Sequence, residues 1–75
     1  MPRQVNFSEN LKKMRLGQNK SGQNFTQSQI ARQTGIARSM ISDYENGVKE
    51  PTLSALVKLS KFFEISLDEL CYGKK

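Results

Sequence analysis

The first apolar positions of the chain recur at the spacing of one helix face. Phe7, Leu11 and Met14 stand at i, i+4 and i+7, which predicts a helix over residues 7–16. This helix is expected to end at the glycine that follows, since glycine adopts the left-handed backbone that closes many helices. Residues 17–24 contain no apolar side chain and are rich in Gln, Asn, Ser and Gly, a composition that predicts a solvated loop.

Two later segments begin with the same pair of helix-start signals. In each, a Ser or Thr precedes a Glu or Gln by three residues, a capping box whose side chains bond backbone N–H groups of the first turn. Apolar residues flank each box as a hydrophobic staple, and the two signals together predict the starts of helices two and five. The boxes are Thr26/Gln29, with Phe25 and Ile30 as the staple, and Ser66/Glu69, with Ile65 and Leu70 as the staple.

Glycine residues mark the predicted ends of helices two and three. Gly35 is expected to end helix two as a left-handed cap, because a side chain at positive φ costs energy. Helix three is predicted over residues 37–45, since Asn46 and Gly47 form a strong stop signal directly after it.

Pro51 marks the entry to a fourth helix, predicted over residues 52–63. Its apolar positions form a wide stripe, which predicts that it is the most buried of the helices. Five helices thus account for the periodic segments of the chain, so the predicted fold class is all-α. The stripe consists of Leu53, Leu56, Val57, Leu59 and Phe63.

The chain has room for one domain and contains no apolar run long enough for a membrane span. Of its 75 residues, 36% are hydrophobic and 25% are charged, values typical of a soluble globular protein. Residues 1–6 lack the apolar stretch and the cleavage site of a secretion signal. We therefore expect a cytoplasmic protein with no membrane partner.

Basic charge is concentrated in the first half of the chain. The formal net charge is +5 and the pI is near 9.7, which favours a polyanionic partner. Residues 10–42 carry six basic and no acidic side chains, whereas residues 43–75 carry five basic and six acidic ones. This asymmetry is expected of a molecule with one polyanion-facing end and one partner-facing end.

Candidate catalytic and metal-binding groups are few. The chain has no His, and Cys71 is its single cysteine. Cys71 follows Leu70 in an apolar helical pattern without a neighbour that would lower the thiol pKa, so we interpret it as structural rather than nucleophilic. We expect no enzymatic activity, no metal site and no cofactor.

The most informative segment is TQSQIARQTGIARSMISDYE, residues 26–45, in which two short helices meet across a glycine turn. Such a turn sets the helices at a steep angle and leaves the outer face of the second free to enter a DNA major groove. With LKKMR before it and PTLSALVKLSKFFEISLDEL after it, the segment resembles the Cro and phage-repressor type of helix-turn-helix family, also called XRE-like regulators. The resemblance extends over residues 11–70.

The resemblance implies a compact five-helix domain of the lambda-repressor-like, DNA-binding type. It also implies a transcriptional regulator, expected to be a repressor, that binds a palindromic double-stranded DNA operator as a homodimer, with helix three in the major groove. The expected organisation is a domain over residues 7–72, a helix-turn-helix motif over residues 26–45, and short tails at 1–6 and 73–75.

The chain departs from the family pattern in two places. Residues 17–24 form a longer loop than is usual, so no contact from this loop is implied. Ala37 stands where the family commonly has a capping Ser or Thr, and the missing cap costs about 1 kcal/mol. Either helix three begins at a neighbouring residue or its first backbone N–H groups stay free for a phosphate.

Helical geometry and the resemblance together assign DNA contacts to the motif and its flanks. Helix-three positions not needed for the core form one outward face, on which Arg38 suits guanine and Asp43 suits cytosine. Gln27 lies at the positive end of helix two, whereas Asn46 and Lys49 follow helix three and also have ordinary local or solvent-exposed interpretations. The expected base contacts are Ala37, Arg38, Ser39, Ser42 and Asp43, and the expected phosphate contacts are Thr26, Gln27, Asn46 and Lys49.

A structural ion pair is also implied by the resemblance. In similar domains an Arg of helix one pairs with the Glu that ends helix three, and Arg15 and Glu45 stand at the matching positions.

Helix five is the expected dimer contact, although its apolar residues can equally cap the core. A second functional hypothesis is an antitoxin-like protein-interaction module with autoregulatory DNA binding, which requires a large exposed apolar patch over this helix. The residues concerned are Leu67, Leu70, Cys71 and Tyr72.

Overall fold

The computed structural model describes residues 6–73; of the two predicted tails, residues 1–5 and 74–75 lie outside this range. The described chain forms five α-helices, and an isolated bridge joins Leu16 to Asn24. The all-α prediction is confirmed. The helices are α1 (Phe7–Arg15), α2 (Gln27–Thr34), α3 (Arg38–Glu45), α4 (Leu53–Phe63) and α5 (Leu67–Tyr72).

Every helix supplies one fully buried aliphatic side chain to a common core. Complete burial of such a side chain stabilises the fold by about 1.5–3 kcal/mol, so the aliphatic residue that each helix contributes favours its packing by about this amount. Phe7, Met14 and Phe63 extend the same cluster with larger side chains. The five side chains are Leu11 of α1, Ile30 of α2, Ile41 of α3, Leu59 of α4 and Leu70 of α5.

Polar contacts fasten the start of α1 to the end of α5. The backbone N–H of Asn6 donates to the Cys71 carbonyl at 2.9 Å, and the Asn10 side-chain amide donates to the Leu70 carbonyl at 3.1 Å. The Phe7 ring meets the Tyr44 ring edge-on, with centroids 5.8 Å apart. α1 is therefore held against both α3 and α5.

The boundaries of α2 follow the local signals in the sequence. Thr26 accepts a hydrogen bond from the N–H of Gln29 at 3.0 Å, and the Gln29 side chain accepts one from the N–H of Thr26 at 2.7 Å. Gly35 ends the helix in the left-handed conformation, with φ 77°. The predicted capping box and glycine cap are both confirmed.

Two further helices begin at hydroxyl caps. Ser66 accepts from the N–H of Glu69 at 3.0 Å, which is the Ser half of the predicted box at the start of α5. Thr52 accepts from the N–H of Ala55 at 3.1 Å and is therefore the cap of α4 rather than its first residue.

The predicted apolar stripe of α4 is wrong at its first residue. Leu53 is 68% exposed, because the buried face of the helix follows the i, i+4, i+8 row of Ala55, Leu59 and Phe63. Leu53 lies in the first turn, outside this row. The helix nevertheless has four buried residues, the most of any helix in the described chain, as predicted.

The loop over residues 17–24 is organised by one side chain. The side-chain oxygen Oδ1 of Asn19 accepts from the Ser21 N–H at 3.0 Å and from the Ser21 hydroxyl at 2.7 Å. The Asn19 amide donates to the Gln23 carbonyl at 2.9 Å and to the Met14 carbonyl at 2.5 Å. The long loop thus has a defined turn that is bonded to the end of α1.

Glu64 ends α4 in a conformation that usually belongs to glycine. Its φ is 58°, and it is the one non-glycine residue with positive φ among residues 6–73. The chain reverses there through bonds from the N–H of Ile65 to the Ser60 carbonyl at 2.9 Å and from the N–H of Glu64 to the Lys61 carbonyl at 3.2 Å. A side chain in this region costs roughly 1–2 kcal/mol.

Replacing this residue with glycine is expected to stabilise the protein. Glu64→Gly should raise the free energy of unfolding by about 1 kcal/mol, since the left-handed turn no longer carries a Cβ. Thermal unfolding followed by circular dichroism should show a melting point about 4–8 °C higher. The matched control Lys58→Gly, within the same helix, should lower stability by about 1 kcal/mol. A lower melting point for Glu64→Gly would contradict the assignment.

Candidate nucleic-acid interface

One side of α3 is turned away from the core and carries four of the predicted base contacts. Arg38 and Ser39 are exposed in the first turn, and Ser42 and Asp43 lie half-buried one turn later on the same side. We call these four residues the recognition face. The opposite side of α3 is buried, so the helix presents one polar surface on a fixed support.

The first turn of α3 has no side-chain cap. Ala37 occupies the N-cap position and is exposed, and its side chain offers no acceptor. The N–H groups of Arg38 and Ser39 have no hydrogen-bond acceptor within residues 6–73. α3 therefore begins one residue later than predicted and also leaves its first amides free. These donors and the positive end of the helix dipole favour an anion.

The first turn of α2 lies beside the end of α3. Gln27 is half-buried, and its side-chain amide donates to Oε1 of Glu45 at 3.3 Å. Because this amide carries two hydrogens, one donor remains for another acceptor. Thr26 is exposed; its hydroxyl accepts the bond that caps α2 and keeps its own hydrogen as a donor. Both side chains therefore retain one hydrogen-bond donor for an anion.

Arg15 and Glu45 form a two-point ion pair between α1 and α3. Nε of Arg15 lies 2.6 Å from Oε2 of Glu45, and Nη2 lies 2.9 Å from Oε1. The third nitrogen, Nη1, donates to the Phe25 carbonyl at 3.2 Å, and the Phe25 N–H donates to the Arg15 carbonyl at 2.8 Å. The two charged side chains are 16% and 4% exposed, respectively.

Each of the three guanidinium nitrogens of Arg15 donates at least one hydrogen bond. The hydrogen bond to Glu45 raises the pKa of Arg15, and the charge of Glu45 acts in the same direction while burial opposes both. Arg15 also donates one hydrogen bond to the backbone beside the start of α2. One guanidinium therefore joins the end of α1, the entry to α2 and the end of α3.

The segment after α3 folds back onto the helix. The N–H of Val48 donates to the Asp43 carbonyl at 2.9 Å, and the N–H of Gly47 donates to the Tyr44 carbonyl at 3.3 Å. With Gly47 at φ 71°, these two bonds form a Schellman motif. Asn46 precedes the turn, is exposed, and donates its amide to the Ser42 hydroxyl at 3.4 Å.

The turn brings Lys49 back towards the recognition face. Nζ of Lys49 lies 3.7 Å from Oδ2 of Asp43 and 3.6 Å from the sulfur of Met40. A residue predicted to contact phosphate and one predicted to contact a base are therefore joined to each other.

The described residues offer little for metal binding or for nucleophilic catalysis. No group of three His, Cys, Asp or Glu side chains within residues 6–73 is placed to hold a metal ion. Burial, with a smaller effect from the charge of Asp68, raises the pKa of the Cys71 thiol, which reduces the nucleophilic thiolate at neutral pH. None of the five helices is long and apolar enough to cross a membrane.

Two side-chain contacts of this surface were not predicted from the sequence: Gln27 with Glu45, and Asp43 with Lys49. The first joins residues 18 positions apart across the glycine turn, a separation that no helical periodicity predicts. The second contact crosses the turn over residues 46–48. The Asn-Gly signal predicts that helix three ends there, but it does not predict the direction in which the chain continues.

These features define a helix-turn-helix domain: a capped helix, a left-handed glycine turn, and a second helix with an exposed polar face. A family model described as Helix-turn-helix matches residues 11–70. The chain belongs to the helix-turn-helix family, of the Cro and phage-repressor type that its motifs indicated.

Curated relatives of the chain are transcription regulators rather than enzymes. The chain is 37% identical over 71 residues to the HTH-type transcriptional activator BcrR of Enterococcus faecalis, a match covering 95% of this chain and 32% of the relative. It is 42% identical over 59 residues to the cryptic phage CTXphi transcriptional repressor RstR of Vibrio cholerae, covering 79% and 53%, respectively. The chain thus spans about a third to a half of the length of these relatives.

Solved structures share the fold. The P22 c2 repressor in complex with a synthetic operator superposes with a TM-score of 0.75 at 26% identity, covering 91% of this chain and 96% of that one. The restriction-modification controller protein C.AhdI from Aeromonas hydrophila gives a TM-score of 0.73 at 26% identity, covering 88% and 92%, respectively.

Breaking the central ion pair is expected to destabilise the domain strongly. Arg15→Ala leaves the buried Glu45 carboxylate with the Gln27 amide as its remaining donor, and should cost about 3–5 kcal/mol of unfolding free energy in urea denaturation. Glu45→Ala should cost less, because Arg15 keeps the Phe25 carbonyl.

The control for this experiment is Glu9→Ala, which removes an exposed pair with Lys13 at 3.0 Å and should cost no more than about 0.5 kcal/mol. If all three variants lost the same small amount of stability, the ion pair would not hold α3 in place.

Proposed function

We propose that this chain is a sequence-specific, double-stranded DNA-binding transcriptional regulator that acts as a repressor on a palindromic operator. The observation that carries the proposal is the first turn of α3, where Arg38 and Ser39 are exposed beside their own unbonded backbone N–H groups. A short helix that presents its first turn in this way fits a major groove, which admits an α-helix.

Repression is favoured over activation by the extent of the matches. The match to the repressor RstR covers 53% of that relative, whereas the match to the activator BcrR covers 32% of its own. When a domain of this size is bound to an operator, it blocks the access of other proteins to the same DNA, and this blocking requires no additional domain.

Base and phosphate contacts are divided along the surface. Arg38 can donate a bidentate pair to guanine O6 and N7, while Ser39 and Ser42 offer hydroxyls and Ala37 offers a methyl contact at the helix start. The free amide hydrogen of Gln27, beside Glu45, and the exposed Asn46 both lie next to the end of α3, where they can donate to a phosphate of the DNA backbone. Thr26 precedes Gln27 at the same end of α2 and is a further proposed phosphate contact.

We propose α5 as the contact between two copies of the chain on DNA. Leu67 and Tyr72 are exposed at 38% and 36%, whereas Leu70 is fully buried and belongs to the core rather than to a dimer surface. The exposed apolar area of α5 is therefore small. It suits a dimer that forms on DNA better than the antitoxin-like alternative, which needs a large apolar patch.

Selection from random duplex DNA tests the proposal directly. Enriched fragments should contain two inverted half-sites whose centres are about 34 Å apart, one helical turn, because two-fold helix-turn-helix dimers impose this spacing. Sedimentation on the selected duplex should show two protomers per DNA. Enriched sites without dyad symmetry, together with one protomer per duplex, would contradict the dimer, and no enrichment at all would contradict sequence-specific binding.

Arg38 is expected to carry sequence information. Arg38→Ala should weaken binding to the best duplex by about 1–3 kcal/mol and flatten preference at one base pair in each half-site. Arg32→Ala is the matched control, since it removes an exposed arginine from α2 outside the recognition face. If the base preference were unchanged in Arg38→Ala, sequence recognition would have to be assigned to Ser42, Asp43 or DNA shape instead.

A further inference from the structure

The recognition face carries an acidic side chain, and a lysine from outside the helix is placed against it. Asp43 is 33% exposed, Lys49 is 53% exposed, and Nζ of Lys49 lies 3.7 Å from Oδ2 of Asp43. No partner is placed on Oδ1 of Asp43 within residues 6–73. One carboxylate oxygen of Asp43 therefore lies beside a cation, and the other has no hydrogen-bond donor within residues 6–73.

The position of Lys49 is set by the backbone rather than by the length of its side chain. The Schellman motif at Gly47 returns the chain over the last turn of α3, with the Val48 N–H bonded to the carbonyl of Asp43 itself. The Lys49 ammonium also lies beside Met40, whose sulfur is 3.6 Å from Nζ. The ammonium is thus held on the same side of α3 as the recognition face.

An unpaired carboxylate at this place would oppose DNA binding. Phosphate oxygens line both edges of a major groove, and their charge repels a carboxylate that enters it. Exposed ion pairs contribute little to folding, so stability does not explain the pair. Once a duplex covers the surface and excludes water, the attraction between the two groups strengthens.

We infer that Lys49 is a positioning residue for base selection by Asp43, an inference that rests on the function proposed above. The ammonium neutralises the carboxylate and holds Oδ2, which leaves Oδ1 to accept a hydrogen bond from an exocyclic amino group. Cytosine presents its N4 amino group as the donor in the major groove, and Asp is suited to accept from it. Asp43 and Lys49 act as one neutral, cytosine-selecting unit at the end of the recognition face.

The competing interpretation treats the two residues as independent. Lys49 then bonds a phosphate and contributes equally to every duplex, while Asp43 stays in solvent. The two interpretations differ in whether the effect of removing Lys49 depends on the identity of residue 43.

A double-mutant cycle with sequence selection separates them. The variants are Asp43→Asn, Lys49→Ala, Lys49→Arg and the double variant Asp43→Asn/Lys49→Ala, with Lys61→Ala as a control that removes an exposed lysine of α4. Each is measured for the base preference of its selected duplexes and for affinity to the best wild-type duplex at several salt concentrations.

Lys49→Ala should flatten preference at one cytosine position and weaken binding about tenfold in the wild-type background, because it exposes the carboxylate to phosphates. In the Asp43→Asn background the same substitution should cost about threefold or less. Asp43→Asn should move preference at that position towards adenine, the base that Asn favours. Lys49→Arg should keep the wild-type preference, and Lys61→Ala should leave it unchanged.

Equal costs of Lys49→Ala in both backgrounds, with preference unchanged at every position, would overturn the inference while leaving the proposed function intact. Failure of the wild-type chain to select any sequence would instead overturn the proposed function. Circular dichroism melting curves for all variants check that they fold, and the surface positions of both side chains predict melting points close to that of the wild type.

Discussion

The ion pair between Arg15 and Glu45 is the contact on which the orientation of α3 depends. It joins the last residue of α1 to the last residue of α3 through two short hydrogen bonds. The same guanidinium binds the carbonyl of Phe25, immediately before α2, and the same carboxylate accepts from Gln27 in the first turn of α2. Three helices therefore meet at one pair of charges: α1 and α3 cannot rotate without leaving a buried charge unpaired, and α2 cannot rotate without losing its two neutral hydrogen bonds to the pair.

The ion pair and the apolar core contribute differently to the fold. Each helix contributes one fully buried aliphatic side chain, which drives association but tolerates small shifts, because dispersion and apolar burial have little directional preference. A bidentate Arg–carboxylate contact is directional. In a domain with so small a core, the ion pair fixes the orientation of α3 relative to α1, which apolar packing alone would not determine. It also fixes the position of Gln27 relative to the recognition face.

The recognition face changes in charge and hydrogen-bonding capacity along the helix. Its first turn, with Arg38 and Ser39, combines exposed side chains with open backbone donors and the positive end of the dipole. Its last turn combines Asp43 with a lysine returned by the Schellman motif. The strongly basic segment 10–42 therefore meets the nearly neutral second half of the chain within this one helix, where Asp43 and Glu45 each lie beside a cation.

Most helix boundaries and the fold class follow from the sequence by itself, because the signals are local. The Thr26 capping box, the Gly35 cap and the Asn-Gly stop involve groups within a few residues of one another, and they form in nearly any context. The family resemblance added the helix-turn-helix assignment and drew attention to Arg15 and Glu45. Only the tertiary structure decided that Leu53 is exposed, that Gln27 is bonded to Glu45, and that Lys49 faces Asp43. These outcomes depend on how helices cross and where turns direct the chain, and such contacts between distant residues leave no periodic signal in the sequence.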